Sequence, residues 1–136
     1  MARVSVEVPA ALVGQVRETV LLLYQATAES LHAALKSRAD EERPVEEIRT
    51  HRLRVDELDD LVRSLDGEPR DVEIAAPGEL LRDVLYGALI DAGERLAEIS
   101  NRAWRGELPL ERVQEMAEEV LALDALLRGL GLSPWR

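Results

Sequence analysis

Cysteine is absent from the 136 residues, which excludes disulfides, thiolate metal sites and thiol catalysis. Phenylalanine is absent too, with only two tryptophans and two tyrosines present, so a core must be packed from Leu, Val, Ile and Ala. Lysine occurs once, at Lys36, and arginine supplies the rest of the 17 basic residues against 27 acidic ones. The resulting net charge of -10 repels phosphate-rich surfaces. Neither nucleic acid nor a membrane is therefore an expected partner. Long hydrophobic runs are missing as well: Val20 to Tyr24 is far too short to span a bilayer. Glu7 and Pro9 interrupt any secretory pattern at the start, and a cytoplasmic location is the expectation. No phosphate-cradling glycine loop, dinucleotide fingerprint or nucleophile–base spacing occurs. No catalytic residue is assigned, no cofactor is expected, and the chain reads as non-enzymatic.

What is present is a repeat. Sliding the sequence by 65 positions aligns residues 44–69 with 109–134, with identities at Pro44/Pro109, Val55/Val120, Leu58/Leu123, Asp59/Asp124, Leu61/Leu126, Arg63/Arg128, Leu65/Leu130 and Pro69/Pro134. The same shift pairs Arg17 with Arg82, Glu29 with Glu94 and Leu31 with Leu96, and a one-residue slip sets Val6-Glu7-Val8 against Val72-Glu73-Ile74. Prolines matched before and after each run are hard to obtain by chance. Repeats decide a fold before any single motif does. The chain reads as a single domain, 1–136, made of two repeats of about 1–68 and 69–136.

Each repeat spells strand, helix, helix. Residues 3–8 and 71–75 alternate polar with apolar side chains, and Pro9 and Pro77 stop them. The first helices are predicted over Ala10 to Ser37 and Gly78 to Ala103. Their inner stripes are Val13, Val16, Val20, Leu23, Thr27, Leu31 and Ala34, and Leu81, Val84, Leu85, Ala88, Ala92, Leu96 and Ile99. The second helices begin at Pro44 and Pro109, with Glu41, Glu42, Glu46 and Glu47 complementing the dipole of the first, and Gly67 and Gly131 follow as stops. The expected fold is mainly α (α+β): an internally duplicated strand-helix-helix unit giving a four-helix bundle with a two-stranded antiparallel β ribbon. Pairing of the strands between two chains is the alternative.

Several constellations bear on function. Glu29 and His32, at i, i+3 spacing, form half of the Glu-x-x-His signature of metal-carrying helical bundles, with Glu94 matching Glu29 in the other repeat. Ala97 stands where a second histidine would be; His51 is the one substitute, because the chain has two histidines. A metal-binding bundle protein or enzyme using Glu29, His32 and Glu94 is one alternative, and a binder of apolar small ligands in a pocket lined by Leu23, Leu85 and Leu89 is another. The stretch 49–60 is basic, then acidic: a docking face for an acidic partner, or more simply a wet helix side with Arg52 and Asp56 at salt-bridge spacing.

The opening 3–18 resembles the strand–proline–helix start of ribbon-helix-helix repressors, which implies an analogous topology. Its outward strand residues are Arg3, Ser5, Glu7, Asp71 and Glu73, too acidic for the DNA reading of that family. Trp104-Arg105-Gly106 is similar to the Trp-x-Gly turn of small secreted helical-hairpin proteins over three residues; those lack strands and duplication, so the tryptophan is expected to plug the end of a helix pair.

The leading expectation rests on surplus apolar surface. Residues 19–28 are apolar almost all round the helix, and 84–93 repeat the excess. A helix at a bundle edge needs one stripe, so the rest must be covered. A small acidic interaction or structural protein acting as a homodimer is predicted, its interface drawn from Val20, Leu21, Leu22, Tyr24, Tyr86, Leu89 and Ile90.

Overall fold

The computed structural model describes residues 3–38 and 45–131. Its elements run β1 (Arg3–Val8), α1 (Ala10–Arg38), α2 (Val45–Leu65), β2 (Val72–Pro77), α3 (Gly78–Trp104) and α4 (Leu110–Gly129). The predicted glutamates Glu41 and Glu42, and Pro44, lie outside the described residues, while Glu46 and Glu47 occupy the first turn of α2. Two strand and helix boundaries move. Pro77 closes β2 instead of following it, which its missing N–H permits at a strand end. Pro109 precedes α4 as its N-cap rather than opening it.

The strands pair with each other, antiparallel and within the chain, with Val4 opposite Ala76, Val6 opposite Ile74 and Val8 opposite Val72. Their alternation puts these six side chains on the face toward the helices, and leaves Arg3, Ser5, Glu7, Glu73 and Ala75 exposed. Glu7 lies opposite Glu73. Like charges so placed are unfavourable, and full exposure to water keeps that cost low. Two contacts tie the ribbon to the helices. Arg3 Nη1 donates to Glu57 Oε1 on α2 at 2.7 Å, and that carboxylate raises the arginine's pKa. Asp71 Oδ1 accepts the Ala10 N–H at 2.9 Å, so the first turn of α1 is capped from the segment before β2.

Beneath the ribbon, α1 packs on α2, α3 on α4, and α1 crosses α3. The core joins the inner strand face to Leu12, Val13, Val16 and Val20 of α1, Leu81, Val84, Leu85 and Ala88 of α3, Leu58, Leu61 and Leu65 of α2, and Leu123 and Leu127 of α4. At the α1–α3 crossing the backbone comes close: a Cβ on Gly87 would stand 2.9 Å from Thr19 Cγ2. Beside it, Gln15 Nε2 donates to Asp91 Oδ2 at 2.7 Å, and Arg95 donates to Gln15 Oε1 at 3.0 Å and Glu18 Oε2 at 2.9 Å. Glu18 and the neighbouring Asp91 raise the Arg95 pKa, outweighing desolvation.

Away from the ribbon, burial thins. Leu31, Ile48 and Val55 on one helix pair, and Leu96, Ile99, Val113, Met116 and Val120 on the other, are half-buried, because two helices alone cannot enclose a stripe. The expected tryptophan plug is not made: Trp104 is 91% exposed at the end of α3, and Ala103 takes the inward position. The turn closes instead through the Glu107 N–H to Arg102 O, with Gly106 at φ 77°.

Candidate functional site

The apolar run of α1 is divided by its helical positions. Val20 enters the core, Leu23 and Tyr24 are half-buried against it, and Leu21 and Leu22 face outward, Leu22 with 65% of its surface exposed. On α3, Leu89 is buried, while Tyr86 and Ile90 face out. Val20 and Leu89, expected in an interface between chains, are therefore already inside the molecule: each sits on the stripe that meets the core. The outward residues of that expectation are Leu21, Leu22, Tyr86 and Ile90, with Tyr24 at the margin. Leu21, Leu22, Tyr86 and Ile90 all lie within three positions of the Thr19–Gly87 crossing. The charges beside them are matched within the chain by the Glu18–Arg95–Asp91 ion pairs.

A groove of about 710 Å³ runs between α3 and α4. Leu89, Ile90, Gly93, Glu94 and Ala97 line it on α3, and Val120, Leu121, Asp124 and Arg128 on α4. Its lips are apolar, with Ile90 42% and Leu121 67% exposed. At one end Arg128 Nε donates to Asp124 Oδ2 at 2.7 Å, while Asp124 Oδ1 is buried with no hydrogen-bond partner. A smaller groove, about 430 Å³, lies along α1 and is lined by Tyr24, Gln25, Ala28, Glu29 and His32. These five positions are those of the α3 wall shifted by 65 residues.

The candidate metal ligands are divided between these grooves. Glu29 and His32 share the α1 groove, where Gln25 Nε2 donates to Glu29 Oε1 at 3.4 Å; Glu94 belongs to the α3–α4 groove. His51 Nε2 approaches Glu47 Oε1 at 4.0 Å on α2. Among the described residues no group of three His, Asp or Glu side chains converges as a metal-ligand set. Of the predicted apolar-pocket residues, Leu85 is in the core, Leu23 packs against it, and Leu89 lines the α3–α4 groove.

The charged face of α2 also departs from its expected form. Arg54 reaches across to α3, donating to Asp83 Oδ2 at 3.0 Å. Arg52 and Asp56 are not paired with each other, and among the described residues Arg49, Arg52 and Asp56 form no ion pair. Leu53 stands between these charges with 59% of its surface exposed. Sequence reasoning missed Leu53, Leu121 and Asp124 as surface features. A lone leucine among charges looks ordinary along the chain, and only the packing of α2 and α4 decides which leucine turns outward. No helix among the described residues is long and apolar enough to cross a membrane. Comparison with protein-family models, with curated proteins and with solved structures returns no match.

Proposed function

We propose that this chain is a tandem duplication of a strand-helix-helix unit, folded as one four-helix domain, and that it acts as a non-enzymatic interaction protein through a homodimer. The doubling is supported by the repeated element order, by Glu7 standing opposite Glu73, its counterpart in the slipped alignment, and by grooves lined at positions 65 apart. The observation that carries the dimer is the apolar face formed by Leu21, Leu22, Tyr86 and Ile90 around the α1–α3 crossing. Large apolar side chains left exposed on two helices that pack together mark an association site. A second copy suits it because a face on the axis relating two similar helices meets itself readily in a two-fold contact. Its flanking carboxylates are held by Arg95, which limits repulsion between two chains of net charge -10.

Sedimentation equilibrium of the full chain at micromolar concentration tests the reading. A dimer mass is expected, converting to monomer in the Leu22→Asp variant with its circular dichroism unchanged. A wild-type monomer across the concentration range refutes it.

A further inference from the structure

Two surface features are complementary in the order of their charges. On α2, Arg49, Arg52, Leu53 and Asp56 fall at i, i+3, i+4 and i+7, one face of the helix. The three charges carry no ion pair within the described chain, and Leu53 is bare. The α3–α4 groove offers Glu94, Asp124 and Arg128 along its edge, with Ile90 and Leu121 as lips. Arg52 and Asp56 are four residues apart, reading plus then minus; Asp124 and Arg128 are four apart, reading minus then plus. Two helices laid parallel bring these doublets level. Because α3 returns antiparallel to α4 through a short turn, Glu94 falls about one turn ahead of Asp124 along α4. Arg49 falls about one turn ahead of Arg52 on α2.

We infer that in the dimer α2 of one copy lies in the α3–α4 groove of the other, with Arg49 meeting Glu94, Arg52 meeting Asp124 and Asp56 meeting Arg128. This rests on the homodimer reading above and names its flanking contact. Leu53 then sits between Ile90 and Leu121, and Ile90 makes the contact continuous with the face around the α1–α3 crossing. Asp124, which lines the groove and already accepts from Arg128, then has two guanidinium partners, and Arg128 gains a second carboxylate in Asp56. The groove is open along its length rather than enclosed, which suits a helix better than a small molecule that needs most of its surface covered. The first-repeat groove does not compete as a seat: Gln25 and His32 stand where Ile90 and Ala97 provide apolar wall.

A charge-exchange experiment tests the contact. Arg49→Glu and Glu94→Arg each place like charges face to face and are expected to weaken the homodimer about tenfold in sedimentation equilibrium. Mixed together, the two variants form a heterodimer in which both copies of the contact carry opposite charges again, so affinity near wild type returns. Leu53→Asp is expected to weaken the dimer without a charge partner to rescue it. All three sites are exposed, so circular dichroism should be unchanged. The inference is overturned if either charge variant dimerises like wild type, or if mixing restores nothing. A wild-type monomer instead overturns the dimer itself. If Leu22→Asp dissociates the chains while Arg49→Glu, Glu94→Arg and Leu53→Asp do not, the dimer stands and this contact falls.

Discussion

The groove wall on α1 and the groove wall on α3 are lined at positions 65 apart in the sequence, yet they have different chemistry. Tyr24, Gln25, Ala28, Glu29 and His32 line the first; Leu89, Ile90, Gly93, Glu94 and Ala97 line the second. Across from them, Asp56 on α2 corresponds to Leu121 on α4. Other features do not change: Glu29 corresponds to Glu94, and the ion pair Arg63–Asp59 at 3.1 Å to Arg128–Asp124 at 2.7 Å. In the interior Leu58 and Leu123 match, both fully buried, while Leu61 and Leu65 are buried where Leu126 and Leu130 are partly so. Close packing restricts the core in either half to the same few side chains. The outer wall, which touches water, is free to become polar in one half and apolar in the other. On the groove walls the change is from Gln25 to Ile90 and from His32 to Ala97.

The largest effects should come from the part that matches. Leu58→Ala and Leu123→Ala each leave a cavity among neighbours that cannot collapse fully, and each should cost about 2–5 kcal/mol. Urea unfolding of both variants checks the symmetry of the core: costs differing more than about twofold would show that one half carries the fold. Next comes the crossing, where the halves diverge. Gly87→Ala drives a methyl against Thr19 Cγ2, and overpacking of this kind costs about 1–3 kcal/mol. Thr19 is buried and β-branched, so it cannot swing aside. The double variant Gly87→Ala/Thr19→Ser removes the colliding methyl and keeps the hydroxyl that donates to Gln15 O at 3.2 Å. It should recover most of the loss, and failure to recover would place the strain elsewhere. Leu22, the counterpart of Gly87, points outward, so Leu22→Ala should leave folding stability nearly untouched.

How much of this could be read from the sequence follows the same division. Period-2 and period-3.6 patterns found both strands and all four helices, because Val4, Val6 and Val8, or Val13, Val16 and Val20, must share a face to reach one interior. They failed where apolar residues surround a helix. Val20 belongs both to the inner stripe and to the apolar surplus of Val20 to Tyr24, and packing puts it wholly in the core while Leu21 and Leu22 face out. The same limit applied to Leu89 beside Ile90. For Glu29, His32 and Glu94, spacing along one helix is readable but convergence between helices is not, and the fold sends them to separate grooves. Arg54 shows the limit for charges: its partner, Asp83, is 29 residues away, outside any helical spacing rule.

A sharper test of the comparison is to write the second groove into the first. Gln25→Ile with His32→Ala gives α1 the apolar wall that α3 has in Ile90 and Ala97, and leaves the α2 charges in place. Both replaced side chains are exposed, so folding free energy should move by no more than about 0.5 kcal/mol. Association should change more, because a second apolar groove now lies on each chain. Assemblies larger than the wild-type species are expected in sedimentation velocity. An unchanged distribution would mean that the apolar wall is not what draws chains together.

The smallest expected effect concerns one methyl group, and its sign is the informative part. Gly93 lies within α3 where its counterpart is Ala28, and a Cβ there would meet nothing within 4 Å. Glycine inside a helix costs about 0.5–1 kcal/mol relative to alanine, since it forfeits more backbone freedom on folding. Gly93→Ala should therefore stabilise the folded chain by that amount in urea unfolding, unlike Gly87→Ala on the preceding part of the same helix. The added methyl stands on the groove wall, where the isolated chain has room but a seated helix would come close. Stability rising while self-association weakens is the expected combination. Both rising together would mean that nothing packs closely on Gly93, and the seat of the partner helix would have to lie nearer Leu121.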